Sequence, residues 1–501
     1  MLTEKDFLKL QNGSDVRGVA VAGVEGEPVN LTPEAVNRIA GGFVKFLSDK
    51  LNKSARSLRI SVGHDSRISA PQLLKAVCDS LTGHGVEVLN CALASTPAMF
   101  MSTIFDETKA DGAIMLTASH LPFNRNGMKF FTAEGGLEKS DITALLKNAA
   151  TSDETHGDPS TAKSFNLIDL YAKHLRGKII SALGNEKPFV GMKIIVDAGN
   201  GGGGFFADKI LAPLGADTNG SQFLEPDGMF PNHMPNPEDK IAMASIKKAV
   251  LDNRADLGLI FDTDVDRAGA VLSDGEEVSR NALIAMIAAI LAPDYPNSTI
   301  VTDSVTSDEL HVFLEQTLKL KHHRFKRGYK NVINECIRLN KSGTVSPLAI
   351  ETSGHGALSE NYYLDDGAYL AVKILIAAAK LHAQNKNLAE LIADLKYPAE
   401  SKEYRLKLLD IDNFKADGEQ VLKTFSERAD AAGIKKAEPN YEGVRLMFDN
   451  GWALLRLSLH DPNMPLNVES SEVGGCQKIV ERIKNLFDGL KGLDADCLQN
   501  S

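Results

Sequence analysis

The chain has 501 residues, enough for about three or four domains, and its 43% hydrophobic and 24% charged residues exclude wholesale disorder. Lys plus Arg is 55 against 66 Asp plus Glu, a formal net charge of −11, which argues against a general nucleic-acid or anionic-membrane binder but leaves room for a local basic cleft. No window approaches the ~18 uninterrupted apolar residues of a membrane span. The opening MLTEKDFLKL carries acids where a signal or transit peptide avoids them, and the five cysteines have no CxxC spacing; the expectation is a cytoplasmic chain with reduced thiols.

In chain order, one local pattern occurs three times: a β-rich apolar run, an Asp at its end, small turn residues, then a helical segment. The runs are LRISVGHDSRISAPQLLKAV with Asp65, MKIIVDAGNGGGG with Asp197, and STIVTDSVTSDELHVFL with Asp303. Strand, tight turn and helix in alternation indicate α/β units with largely parallel sheets. Polar residues 151–163 predict a loop before a helix over about 165–183. SDGEE then separates a strand from the apolar helix NALIAMIAAILA, and LAELIADL predicts another helix before Pro398. The last hundred or so residues contain the strand-like runs YRLKLL, VRLMF and WALLRLSL and end in a helix around CQKIVERIKNLFDGL, a mixed α+β domain.

Four loops could carry chemistry. In TASHLPFNRNGMKFF, the apolar run GAIMLTA delivers Ser119 and His120 into a turn, with Lys129 following; a hydroxyl placed so suits a nucleophile or phosphate carrier. In LGLIFDTDVDRAG, Asp262, Asp264 and Asp266 follow a buried strand at alternate positions. If the chain stays extended, this aims three carboxylates to one side, tolerable chiefly around a hard cation such as Mg²⁺. In LAIETSGHGALS, Glu351, Ser353 and His355 supply the mixed donors and acceptors that sugar hydroxyls demand. In WALLRLSLHDPNMPLNVE, Arg456, Ser458 and His460 share one side of a predicted strand and form a candidate phosphate clamp. Arg17, Lys326, Arg327 and Lys330 are further basic candidates.

Together and in this order, the four loops resemble the α-D-phosphohexomutase superfamily, in particular the phosphomannomutase/phosphoglucomutase group. GSDVRG (13–18), VGHDSRIS (62–69) and PDGMFPNHMPNPE (226–238) support the match. The resemblance implies three related α/β domains with mixed, largely parallel sheets plus a C-terminal α+β domain, heart-shaped around a central cleft. The expected divisions are 1–160, 161–273, 274–395 and 396–501. It implies that Ser119 carries a phosphoryl group and that one Mg²⁺ is held by Asp262, Asp264, Asp266 and an oxygen of the phosphorylated Ser119. Arg17, Lys129, His120 and Arg267 would stand at the transfer site. Glu351, Ser353 and His355 would read the sugar, while Arg456, Ser458, His460, Lys326 and Arg327 would bind substrate.

The implied reaction interconverts hexose 1-phosphate and hexose 6-phosphate, of glucose, mannose or both, through a hexose 1,6-bisphosphate. Partners would be sugar phosphates, with no nucleic acid or membrane, and the chain a monomer or weak homodimer. The sequence departs from the group at Leu121, at DTDVDR, at Ile350 and Thr352, and at Leu459-His460-Asp461. A phosphoglucosamine or phospho-N-acetylglucosamine mutase, or a non-catalytic sugar-phosphate-binding homologue, remains an alternative. LIFDTDVD also resembles the opening of haloacid-dehalogenase-type phosphatases, with Asp262 as nucleophile, but that reading leaves the other three loops unexplained.

Overall fold

Each predicted Asp-ended run becomes a strand followed by a polar turn and a helical segment. The strands are Arg59–His64, Ile194–Asp197 and Thr299–Thr302. The structure, a computed structural model, describes residues 2–411, 413–458 and 461–498. The chain divides into two compact units, residues 1–290 with 353–391, and residues 291–352 with 392–501.

In the first unit the larger sheet runs, in spatial order, Gln11–Asn12, Asp15–Val19, Arg125–Thr132, Gly112–Leu116, Arg59–His64, Glu87–Leu93 and Lys163–Ser164. Arg59–His64 is parallel to both of its neighbours, whereas Arg125–Thr132 is antiparallel to its own. Gly112–Leu116 is buried along its whole length, as a central strand covered on both faces must be. The helix Pro33–Leu51 covers it with Ile39, Phe43 and Leu47. Thr32 caps that helix by accepting from the Ala35 N–H, Pro33 stands at its first turn, and Asn52 closes it in a left-handed conformation. Such a cap contributes about 1 kcal/mol. The second sheet orders Glu277–Val278, Ala268–Leu272, Leu257–Phe261 and Ile194–Asp197, the last two parallel.

In the second unit, Thr299–Thr302 lies between Lys321–Arg324 and Leu348–Ile350, all parallel. The terminal domain is an antiparallel sheet ordered Val444–Phe448, Gly451–Leu455, Asn463–Ser470, Glu400–Leu408 and Leu493–Asp494, with helices Phe414–Ala431 and Gly475–Ile483 against its core.

Four local expectations need correction. Residues 262–266 do not stay extended: the strand ends at Phe261 and the chain turns through Val265 at φ 66°. LAELIADL forms only the short 3₁₀ turn Leu388–Ile392, followed by a tight turn in which the Leu395 N–H donates to the Ile392 carbonyl at 2.9 Å. The run WALLRLSL stops being a strand at Leu455. Arg456 N–H still donates to the Pro465 carbonyl at 3.1 Å, but proline has no N–H to return the bond, so the ladder breaks there. Finally, the loop expected over 151–163 ends in Lys163–Ser164, a short strand parallel to Glu87–Leu93.

Candidate active site

The site in the first unit is assembled from turns at the ends of buried strands. Gly112–Leu116 ends two residues before Ala118, and Ser119 then takes a left-handed conformation (φ 49°) that costs a non-glycine residue about 1–3 kcal/mol. Arg67 holds that turn in place. Fully buried, it donates to the carbonyls of Ser119, Leu121, Pro122 and Arg125, and Asp65 balances its charge at 3.3 Å. Gly127 lets the next strand pass close by, since a Cβ there would lie 2.2 Å from the Val16 carbonyl.

Opposite stands the turn after Phe261. Asp262, Asp264 and Asp266 are buried, with carboxylate oxygens within 4.8 Å of one another. The Ser119 hydroxyl donates to Asp262 Oδ2 at 2.9 Å and accepts from Arg267 Nη2 at 2.7 Å. Lys129 Nζ donates to Asp264 Oδ2 at 2.9 Å and to Asp266 Oδ2. Arg17 pairs with Asp15 at 2.8 Å and donates to the Thr117 carbonyl. His120 Nδ1 accepts from Arg267 Nη2 at 2.7 Å, and Arg267 also reaches Asn236 at 3.2 Å. His355 Nδ1 bonds Asp365 at 2.6 Å and lies 3.8 Å from Asp266. Ser353 is buried, and its hydroxyl has no hydrogen-bond partner among the described residues.

The electrostatics follow from this packing. Burial, then Asp266, pushes the Asp262 carboxyl well above its ordinary value. Asp264 goes the other way: against burial, the Lys129 ammonium and hydrogen bonds from Thr96 and Lys129 hold it down. Burial alone would lower Lys129, but Asp264 and Asp266 hold it protonated well above its ordinary value. The Arg267 guanidinium, more than burial, holds His120 neutral. Burial opposes the charge on His355, yet Asp365 and Asp266 carry its imidazole up to about 9.

These residues fit a hard divalent cation. The triad offers only oxygen donors, and Asp264 Oδ1 and Asp266 Oδ1 are buried with no hydrogen-bond partner among the described residues. An orphaned buried carboxylate oxygen is costly unless a cation or donor meets it.

The second unit holds the other candidates. Glu351 is buried and its Oε1 accepts from the Gly328 N–H at 2.6 Å. Glu442 accepts from the Arg327 N–H at 3.1 Å and from the Ser304 hydroxyl. Burial lowers Arg456 most, with Glu442 opposing and Arg327 adding to the effect; its Nε has no hydrogen-bond partner among the described residues. Lys326 is exposed, and the Ser458 hydroxyl caps the following turn by accepting from the Asp461 N–H at 3.2 Å. Leu459 and His460 lie outside the described residues.

Sequence reasoning left Arg67, Asp65, Thr96 and Asp365 without roles. Asp65 and Arg67 were visible in VGHDSRIS as a D-x-R pair after a strand. Thr96 and Asp365 had no local signal, since their partners are 168 and 10 positions away.

Comparison with known proteins decides the family. The phosphoglucomutase/phosphomannomutase alpha/beta/alpha domains I, II and III match residues 9–156, 169–275 and 279–397. A phosphomannomutase/phosphoglucomutase of Pseudomonas syringae pv. tomato is 30% identical over 435 residues, covering 85% of this chain and 86% of that protein. The chain belongs to the phosphoglucomutase/phosphomannomutase family. Its fold agrees with a family protein from Burkholderia thailandensis (TM-score 0.77, 23% identity, 98% of each chain covered). It also agrees with Aspergillus fumigatus N-acetylphosphoglucosamine mutase in complex with GlcNAc-6P and magnesium (TM-score 0.57, 13% identity, 96% of each chain). With three α/β/α domains and a fourth, sheet-rich domain, the chain has the family's architecture.

Proposed function

We propose that the protein is a phosphohexomutase, an isomerase that interconverts the 1- and 6-phosphates of glucose, mannose or both through a hexose 1,6-bisphosphate. The observation that supports this most is the Ser119 hydroxyl lodged between Asp262 and Arg267, in a strained turn opposite three buried carboxylates.

In the proposed reaction Ser119 carries the phosphoryl group. The Oγ–P bond breaks as a sugar hydroxyl oxygen bonds to phosphorus, and the proton of that hydroxyl ends on Ser119 Oγ. After the bisphosphate turns round, its other phosphate returns to Ser119 Oγ, and the Ser119 hydroxyl proton ends on the freed sugar oxygen. Asp262, Asp264 and Asp266, with a phosphoserine oxygen, would hold Mg²⁺, which when bound neutralises charge on the moving phosphoryl. Arg267 orients Ser119 Oγ, and Lys129, held protonated, can donate a proton or stabilise negative charge. Arg17 and His120 flank the turn. His355, oriented by Asp365, reads sugar hydroxyls with Glu351 and Ser353. Arg456 and Ser458 anchor the distal phosphate, with Lys326, Arg327 and His460 as further basic contacts.

The domain division at 1–160, 161–273, 274–395 and 396–501, a cytoplasmic location and a monomer or weak homodimer belong to the same reading. No helix among the described residues is long and apolar enough to cross a membrane.

Side-by-side turnover on the 1-phosphates of glucose, mannose, glucosamine and N-acetylglucosamine tests the assignment. Glucose or mannose 1-phosphate should be the best substrate. Preference for an amino sugar would overturn the substrate, and no turnover of any, with Mg²⁺ and a bisphosphate primer present, would overturn the activity.

A further inference from the structure

The segment PDGMFPNHMPNPE (226–238) belongs to none of the four loops, yet it touches both arginines that hold Ser119. Its first half rests on the Arg67 turn. A Cβ on Gly228 would lie 2.4 Å from the Ile68 nitrogen and 2.5 Å from the Ser66 carbonyl oxygen, so this approach requires glycine. Arg67 Cζ lies over the buried Phe230 ring, 5.4 Å from its centre, and Phe230 itself is held in a left-handed conformation (φ 51°). The middle is pinned: His233 Nε2 bonds the Asp197 carboxylate at 3.0 Å, and Asn232 donates to Asn200 Oδ1 at 2.8 Å. The second half meets Arg267. Asn236 Oδ1 accepts from Arg267 Nη1 at 3.2 Å and from the Glu238 N–H at 3.0 Å, and two donors identify that atom as the oxygen.

Arg267 reaches Asp262 through Nε at 3.2 Å and Nη2 at 2.9 Å, and both bonds end on the same oxygen, Oδ2. Two bonds that converge on one atom act as a pivot, about which the guanidinium plane can tilt. The remaining Nη2 contacts, to Ser119 Oγ and His120 Nδ1, both at 2.7 Å, belong to the turn that has to be positioned. Asn236 meets the other amino group, Nη1, and so fixes the plane from outside that turn. We propose that segment 226–238 braces the Ser119 turn through both arginines, and that Asn236 is a positioning residue acting on Ser119 through Arg267. This role rests on Ser119 being the phosphoryl carrier. A displacement of about 1 Å at a reacting group can cost ~10²-fold in rate, so a brace that touches neither sugar nor phosphate still governs turnover.

The test compares Asn236→Ser and Asn236→Asp with the wild type. A serine hydroxyl still accepts from the Glu238 N–H but is too short to reach Arg267, whereas aspartate keeps both acceptor contacts. On glucose 1-phosphate and mannose 1-phosphate, Asn236→Ser should lower kcat about 10- to 100-fold and leave KM within about threefold. Asn236→Asp should recover most of the loss. Met229→Ala, at an exposed position of the same segment, should turn over like the wild type. In a crystal structure of unphosphorylated Asn236→Ser, Arg267 Nη2 should stand beyond about 3.5 Å from Ser119 Oγ. The brace is overturned if folded Asn236→Ser keeps its kcat, if KM and kcat change alike, if aspartate recovers nothing, or if the crystal keeps the Arg267–Ser119 bond. Wild-type protein that turns over neither sugar phosphate would overturn the proposed activity instead, and the crystal comparison would still decide the brace.

Discussion

Two buried basic clusters, one in each unit, solve the problem of burying charge in opposite ways. Around Ser119 every cation meets carboxylates: Lys129 lies between Asp264 and Asp266, Arg267 is held above its ordinary value chiefly by Asp262 and Asp266 against burial, and Arg67 faces Asp65. In the terminal domain burial is less well answered. Arg445, stacked 3.7 Å from the Trp452 ring and bonded to Asp308, is still pushed down to about 9 by burial and then Arg324, and Arg456 is lowered too. Glu469 rises to about 7 because burial outweighs Arg445. The first cluster pairs each cation with a carboxylate and so fixes geometry, although burial still lowers Arg67 and raises Asp65. The second is under-compensated, and an anion such as a phosphate would relieve Arg456.

If the first cluster holds a working nucleophile, Ser119→Ala should lower turnover at least ~10³-fold while leaving the fold intact. Turnover within tenfold of the wild type would sink the assignment. The network's rigidity depends on Arg67. Arg67→Met strips four carbonyls of their donor and leaves Asp65 buried without its counter-charge, so stability should fall by about 3–5 kcal/mol. A loss below 1 kcal/mol in urea unfolding would mean the turn holds itself.

The terminal-domain cluster should show its own response to pH. Glu469 has a raised folded value, so its contribution to stability is fully present below the ordinary carboxylate value near 4.5 and is lost as pH rises through about 7. The stability of wild type relative to Glu469→Gln should therefore drop by up to about 3 kcal/mol across that window. A flat difference would show that water or a counter-charge reaches Glu469.

Two smaller effects separate the clusters by ligand. Asp264→Asn should weaken the Mg²⁺ dependence of turnover by about 10- to 100-fold, with partial rescue by excess Mg²⁺. An unchanged Mg²⁺ titration would remove the triad from consideration. Arg456→Lys keeps the charge but loses the planar fork, so KM should rise about tenfold, the worth of one charge-assisted hydrogen bond, with a smaller fall in kcat. A kcat effect without a KM effect would place Arg456 at the transfer step.

Some of this was legible locally. Apolar strands ending in Asp at 65, 197 and 303 needed only a short window to read, because alternation of burial and turn chemistry is a property of neighbouring residues. The same holds for Ser119 after GAIMLTA, where a fully buried strand must end in a turn. The Asp triad was found for a partly wrong reason. An extended chain was expected to align the carboxylates, whereas a turn through Val265 gathers them. The strand expected through Arg456 failed because Pro465, nine residues on, removes the returning hydrogen bond.

The sequence by itself determined the alternating architecture, the family and the residue types at each loop, since all of these reside in runs of a dozen residues. The tertiary structure alone decided which charges neutralise one another. Ser119 meets Asp262 across 143 positions, Lys129 meets Asp266 across 137, and Thr96 meets Asp264 across 168. Those distances in sequence are closed by packing strand ends together, and no local pattern specifies which ends will meet. Protonation state depends on burial and on neighbours within a few ångströms, so it too is set by the assembled fold.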